Sequence, residues 1–468
     1  MKMLSTKDIR EIQELISMTL FFGIPLGSTL NDTLLTHFWN GRGEWNWKTL
    51  LLNKIRITQH WLYHCQSKKL SFVLPHDHIL AAWLSGTSRI NGIMQPIIQS
   101  LKGDACVVLY GTSNVIPFIP DGVPFIAEDQ LWNYSVKEWR AEYRKCRFQW
   151  AVQLKSLCRK YEFPVGAFEH LELLLMIASQ NIAGSISYLK KNRPAIVLTD
   201  ADRSFKWSCL VLAARKLGIP TVTLVHGGID KEATWFSPVL ADKIICWGKL
   251  DRNKLIAAGE RSEKILIGGC PRFSRDLPVV ANNNLMKLSL NREIPVVMYA
   301  THIERQNFDL VESFCKAVEN LDFLLGIVRL HPSENIVNYR AIIEKHPGVK
   351  FFENQAATID ESIALVDVVV VHGTTVGSEA LLKRVPVVVF DFDADPSELA
   401  IDFVNIAGCP HARTPDALAD ILRKILLNDS YRQKLQMAAE NYVNDFCSTY
   451  GEESARLTAS FIRHAANN

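Results

Sequence analysis

The sequence predicts an α/β protein built from two Rossmann-like, doubly wound domains that face a central cleft, preceded by a helical N-terminal extension. Three observations predict it. Apolar β-branched runs without polar alternation recur along the chain, as parallel strands covered on both faces require. Segments of helical period separate those runs. Most of the runs close on polar or small residues, and open α/β sheets bind ligands at the carboxyl ends of their strands.

The clearest unit is Val368 to Phe390, VVVVHGTTVGSEALLKRVPVVVF. Val368 to Val371 reads as a buried strand, Val376 to Lys383 as a short helix, and the run from Val385 as the next parallel strand, which makes a right-handed βαβ unit. Gly373, Thr374, Thr375, Gly377 and Ser378 open the helix with backbone N–H groups and hydroxyls, an arrangement that attracts phosphate. Glu379 is placed to accept hydrogen bonds from sugar hydroxyls. The plainer alternative is that small residues let the turn pack closely, because one Gly-rich βα turn is a weak signal.

A chain of 468 residues exceeds one ordinary core. The pattern divides it into an extension over 1–69, one α/β domain over 70–280, a second over 290–430, and a C-terminal helix over 431–468. Hydrophobic residues make up 48% and charged residues 22%, the balance of a globular enzyme. The net charge of +3 comes without a dense Lys/Arg run, which excludes a nucleic-acid binder but suits phosphorylated ligands or anionic lipid. The 10 cysteines are scattered without metal or redox spacing, so a reducing, cytoplasmic setting with buried thiols is expected. No signal-peptide pattern opens the sequence, and the apolar run Leu20 to Leu26 is too short to span a bilayer.

In chain order, residues 1–69 are aromatic-rich with a largely helical pattern, suiting a cap or an acceptor- or membrane-facing surface. Leu70 to Pro75 reads as a strand, and with the strand at Ala105 to Tyr110 it frames a loop carrying His76, Asp77, His78, Ser88 and Arg89. His76 and His78 fall on opposite faces of an extended chain, so loop polarity is favoured over a metal site. Residues 128–192 read as mostly helical, punctuated by Glu162, Glu169, His170 and Glu172, with one buried carboxylate among them a candidate acid or base. Ala195 to Thr199 is a strand ending on Asp200-Ala201-Asp202-Arg203, and Thr221 to Val225 is the next, ending on His226-Gly227-Gly228. Asp200 or Asp202 as base or nucleophile, with His226 as proton carrier or phosphate partner, suits group transfer. Asp200 equally fits an N-cap of the following helix. Residues 274–292 have linker composition. Beyond them Pro295 to Tyr299 ends on Ala300-Thr301-His302, and Phe323 to Leu330, which includes Arg329, ends on His331-Pro332-Ser333-Glu334. Helices near 416–427 and 431–464 finish the chain. No Walker motif and no dinucleotide fingerprint is present.

The segments GIPTVTLVHGG, WGKLDRNKLIAAGERSEKILIGGCPRF, RLHPSEN and HGTTVGSEALLKRVPVVVF resemble bacterial glycosyltransferases of the GT-B fold that build capsule and O-antigen. The likeness reaches HP-motif Kdo and sialic acid transferases, glycerophosphotransferases and UDP-N-acetylglucosamine 2-epimerase. It covers residues 190–395. It implies that the second domain holds a CMP- or UDP-sugar donor: His331, Pro332 and Arg329 in the HP segment, Thr301 nearby, Thr374, Thr375 and Ser378 around the phosphates, and Glu379 on the ribose. It implies equally that the first domain holds a glycan or lipid-linked acceptor together with the base, for which Asp200, Asp202 and His226 are candidates. The sialyltransferase D/E-D-G motif has no clean copy here. Asp200/Asp202 and Asp391/Asp393 have D-x-D spacing away from where the resemblance would put a metal, so metal independence and no cofactor beyond the nucleotide-sugar co-substrate are expected. The resemblance also implies work at the inner face of the cytoplasmic membrane with peripheral association. A 2-epimerase, a glycerophosphotransferase and a non-enzymatic nucleotide-binding assembly subunit are the alternatives.

Overall fold

The computed structural model describes residues 20–25, 29, 77–83, 88–102, 107–111, 113–127, 134–163, 167–277, 294–301, 308–331, 334–352, 357–393, 395, 399 and 401–467. The expected strand at 70–75, nearly all of the N-terminal extension, most of the linker and Pro332 lie outside these residues. The described residues divide into two compact units. The first runs up to Trp247 and adds Asp251–Arg272 and the chain from Glu452 on, and the second comprises Gly248–Leu250 and Phe273–Gly451.

The first described residues form a hairpin, β1 (Leu20–Phe21) and β2 (Ile24–Pro25). Phe22 and Gly23 turn it with φ of 47° and 73°, the left-handed pair that a two-residue hairpin turn requires. The main strands are β3 (Ile79–Trp83), β4 (Val107–Gly111), β5 (Phe125–Ala127), β6 (Ile196–Thr199), β7 (Thr221–Leu224), β8 (Lys243–Cys246) and β9 (Ile265–Ile267). They form one sheet in the order β5-β4-β3-β6-β7-β8-β9, parallel throughout. That is the doubly wound order, with the topological switch between β3 and β6.

His78 immediately precedes β3, is buried, and meets Tyr188 Oη at 3.4 Å through Nε2. Asp77 and His78 therefore sit at the amino edge of the sheet, and the expectation that they share a carboxyl-edge loop with Ser88 and Arg89 is corrected: those two residues begin α1 (Ser88–Leu101) at the opposite end of β3. Of the long helices, α2 (Val136–Lys160) buries one stripe, whereas α3 (Ala167–Asn192) is buried on most of its faces. On α2 that stripe is Trp139, Tyr143, Cys146, Trp150, Leu154 and Leu157, spaced three or four apart. Each large apolar side chain so enclosed contributes about 1.5–3 kcal/mol. Trp139 Nε1 donates to Ser179 Oγ at 2.9 Å, which explains a serine inside α3. The buried carboxylate of this stretch is Glu172, paired with Arg147 at 2.7 Å and so assigned to structure. The helix α4 (Phe205–Lys216) joins β6 to β7, and α5 (Lys249–Ala257) precedes β9.

Unit 2 repeats the scheme. Its strands β10 (Val296–Ala300), β11 (Leu325–Arg329), β12 (Lys350–Phe352), β13 (Val368–Val371), β14 (Val387–Phe390) and β15 (His411–Ala412) pair in parallel in the order β12-β11-β10-β13-β14-β15. The switch lies between β10 and β13. The helices are α6 (Phe308–Glu319), α7 (Arg340–Lys345), α8 (Ile359–Ala364), α9 (Thr375–Leu382), α10 (Phe403–Ala407), α11 (Pro415–Leu427) and α12 (Asp429–Phe446). The expected terminal helix is broken: α12 stops at Phe446, and α13 (Gly451–Asn467) restarts from Gly451 at φ 59°. From Glu452 the chain belongs to unit 1, where Ser454 Oγ donates to Gly268 O at 2.8 Å and an Arg463 guanidinium nitrogen to Ser100 O at 2.6 Å. No helix among the described residues is long and apolar enough to cross a membrane.

Candidate functional site

Register aligns the strand ends of unit 2. Ala300 pairs with both Arg329 and Val371, and Val371 with Val389, so these four residues form one row across β11, β10, β13 and β14. The residues one or two positions later, His331, Thr301, His372, Gly373 and Asp391, therefore share the carboxyl edge at the switch point. Glu334 organises part of it. Its Oε2 accepts from the Thr301 hydroxyl and, at 2.9 Å, from the His331 N–H, while Oε1 accepts from Tyr339 Oη at 2.5 Å. The His331 N–H also reaches Thr301 Oγ1 at 2.8 Å. One carboxylate thus locks the turn that carries His331 against the end of β10.

On the other side of the switch, Thr374 caps α9: its hydroxyl accepts from Val376 N at 3.2 Å. Thr375 is half-buried at the first position of the helix. Beside them His372 Nε2 contacts Asp391 Oδ2, joining the ends of β13 and β14. The first turn of α9 consequently opens onto the crevice beside the His331 turn, with the positive end of its dipole toward the edge.

Four predicted residues have tasks inside the fold. Ser378 is 0% exposed, and its hydroxyl meets Tyr442 Oη of α12 at 2.6 Å, which takes it away from any ligand at the edge. Gly377 is a packing glycine, since a Cβ there would lie 2.7 Å from a ring carbon of Phe403. Arg329 is buried, with one guanidinium nitrogen donating to Ala357 O at 2.9 Å and to Ser362 Oγ at 2.6 Å. Burial pulls its guanidinium below the usual range, and the charges of Glu379 and Glu361 oppose that. Glu379, itself buried, is thus a counter-charge to Arg329.

Unit 1 presents its own carboxyl edge. Thr199 pairs with Thr223, so Asp200, Asp202 and His226 all follow aligned strand ends. Asp200 is fully buried and its carbonyl oxygen receives His226 Nδ1, which fixes Nδ1 as the protonated nitrogen of the neutral ring and leaves Nε2 basic. His226 is half-buried. Asp202 is 4% exposed, and its Oδ2 accepts from Leu240 N at 2.7 Å and Ala241 N at 2.8 Å. Burial pushes its carboxyl up to about 6 against those hydrogen bonds and the Arg203 and Lys264 charges. Arg203 in turn donates to Thr234 O and Ser237 O, so the loop after β6 clamps the segment 234–241. The Asp200 side chain does not cap α4, because Ser204 occupies that position. Neither carboxylate is open to a reacting group, and His226 is the predicted residue at this edge with an exposed part.

No protein-family model matches the chain, and no curated protein matches it. Solved structures do. A UDP-N-acetylglucosamine 2-epimerase superposes with a TM-score of 0.55 at 14% identity, over 84% of this chain and 98% of its own. A glycosyltransferase from Rickettsia africae gives 0.53 at 13%, over 84% and 99%. The wall teichoic acid polymerase TagF with CDPG gives 0.50 at 13%, over 90% and 97%. The fold is GT-B. At these identities the likeness carries architecture alone.

Within that GT-B fold, sequence reasoning missed Glu334, Tyr339 and the His372–Asp391 pair as parts of the edge. A signal existed: His372 ends a strand just as His226 and His331 follow theirs. Asp391 has D-x-D spacing with Asp393, but its carboxylate contacts His372 and accepts from Asp393 N at 3.0 Å. No group of three or more His, Cys, Asp or Glu side chains arranged to hold a metal ion occurs among the described residues.

Proposed function

We propose that this chain is a glycosyltransferase that moves a sugar from a CMP- or UDP-activated donor to a glycan or lipid-linked acceptor in bacterial surface polysaccharide synthesis, at the inner membrane face. The observation that carries the reading is the switch-point edge of unit 2, where Thr301, His331 and the Thr374-capped start of α9 converge. Ligands of doubly wound sheets bind at such a point, and a helix N-terminus there favours phosphate. The structural relatives include an enzyme named for a UDP-sugar and one solved with CDPG, which supports a nucleotide-linked donor.

In this reading the acceptor hydroxyl attacks the anomeric carbon and the bond to the donor phosphate breaks, with the electron pair leaving on that phosphate. The first turn of α9 and His331 stabilise the negative charge that develops. Of the candidates in unit 1, Nε2 of His226, left basic by the Asp200 carbonyl, is the group chemically suited to take the hydroxyl proton, and the buried carboxylates of Asp200 and Asp202 are not.

The test is a thermal-shift panel with CMP, CDP, UDP, GDP and their sugar conjugates, followed by acceptor-dependent release of the nucleotide from whichever donor stabilises the protein. Stabilisation by one nucleotide, with release abolished in His331→Ala, supports the proposal. Conversion of UDP-N-acetylglucosamine to its 2-epimer without acceptor makes the chain an epimerase, and transfer of a glycerophosphate group makes it a glycerophosphotransferase. Binding of no nucleotide leaves the non-enzymatic reading.

A further inference from the structure

The pair His372–Asp391 has no part in the mechanism above, yet it occupies the middle of the same edge. His372 follows β13 directly and Asp391 follows β14, two strands whose last residues are paired by register. The side chains of His372 and Asp391 are 12% and 3% exposed. Asp391 is anchored independently of the histidine: Oδ1 accepts from Asp393 N at 3.0 Å, and its own N–H donates to Ala412 O at 3.2 Å. It is also the negative charge that its neighbours share, adding to the effect of burial in raising Tyr299 and opposing the lowering of His411 by burial and Arg413.

A carboxylate held that deep is costly unless donors or a cation meet it. The His372 ring lies against that carboxylate, Nε2 to Oδ2, and joins the ends of the two strands. Nε2 is enclosed, so what exposure the ring retains lies on its other atoms. Two residues later Thr374 caps α9, so the ring lies beside the helix start that attracts anions. A plain strut between strand ends would not need that position beside the helix start.

We propose that His372 is a further phosphate-binding residue for the donor nucleotide, its imidazole oriented by Asp391 as a positioning residue. The inference rests on the nucleotide reading of unit 2 and deepens it: the ligand group His372 meets is the phosphate of a nucleoside mono- or diphosphate, not its base or sugar. The imidazole and the helix start then act together on the charge that the leaving nucleotide acquires.

The experiment measures affinity of the full chain for the best-stabilising nucleotide of CMP, CDP, UDP and GDP, and for the matching nucleoside, in the wild type, His372→Gln, Asp391→Asn and the double variant. His372→Gln keeps a donor toward Asp391 without the imidazole. The expected result is a loss of roughly 10- to 100-fold for the nucleotide in His372→Gln, with nucleoside affinity unchanged. Asp391→Asn is expected to show a smaller loss of the same kind, and the double variant no more than His372→Gln alone. Equal losses for nucleotide and nucleoside would make the pair a strut and overturn the inference. Wild-type nucleotide affinity in His372→Gln would overturn it while leaving the nucleotide reading of unit 2 standing. If the wild type binds none of the four nucleotides, both fall together. Should His372→Gln fail to fold, the nucleotide-to-nucleoside ratio in Asp391→Asn decides.

Discussion

Replacing Asp202 by asparagine separates a carboxylate that holds the fold from one that does chemistry. Both backbone donors, Leu240 N–H and Ala241 N–H, converge on the single oxygen Oδ2. An asparagine amide oxygen can take that place, so Asp202→Asn keeps both bonds, whereas Asp202→Ala leaves two buried donors unmet at a cost of about 2–6 kcal/mol. The charge has its own consequence. Burial raises the carboxyl from 3.8 to about 6 in the folded chain. A raised acid contributes stability that is fully present below the unfolded value, near 4, and is lost as pH rises through about 6; the full loss is about 3 kcal/mol. Asparagine does not titrate, so Asp202→Asn is expected to gain on the wild type as pH rises from about 4.5 to 8. Urea unfolding midpoints of the three proteins across that range read the effect, and turnover of the folded Asp202→Asn variant, expected to be retained, completes the assay. A folded but inactive Asp202→Asn would make Asp202 a reacting group and refute the reasoning. A stability gap indifferent to pH would refute the electrostatic part.

His226→Ala is expected to lower turnover by about 10²- to 10⁴-fold while the nucleotide-induced rise in melting temperature stays, as loss of a general base without loss of donor binding requires. Gly377→Ala is expected to destabilise unit 2 by about 1–3 kcal/mol through the collision with Phe403, and Phe403→Leu in the same chain should recover part of that; both are read by thermal unfolding. Ser378→Ala, which removes the buried bond to Tyr442, should cost about 1 kcal/mol and leave nucleotide affinity unchanged in titration. Glu334→Ala, by removing the carboxylate that ties the His331 turn to the Thr301 and Tyr339 hydroxyls, should weaken nucleotide binding, which calorimetric titration measures.

Most of the parallel sheets were legible because their strands are unbroken β-branched runs: Val368–Val371 and Val387–Phe390 admit little else. Ile79–Trp83 was missed because two alanines dilute the run, and reading the strand at 70–75 put the histidines beyond a strand end instead of before one. Two-residue strands such as His411–Ala412 carry too little pattern to be seen. The break between α12 and α13 has no proline to announce it, yet a signal existed in Cys447 to Tyr450, four weak helix formers ahead of Gly451. For the site, sequence reasoning located the edges but not the direction of each side chain. The alternative that small residues serve packing holds for Gly377 and Ser378, because Phe403 and Tyr442 reach them from far along the chain. Thr374, expected among the hydroxyls that open the helix, sits at the N-cap of α9. Asp202 and Asp200 were visible as polar strand ends, yet whether such a residue faces ligand or core depends on the distant loop 234–241.

The most direct test of the central claim, that the switch-point edge of unit 2 holds a nucleotide, is hydrogen–deuterium exchange of the full chain with and without each of CMP, CDP, UDP and GDP. The account predicts that one of them slows exchange of the amides at 373–377 and around His331 first and most strongly. Protection by none of the four, or protection confined to segments away from β10, β11 and β13, would contradict it.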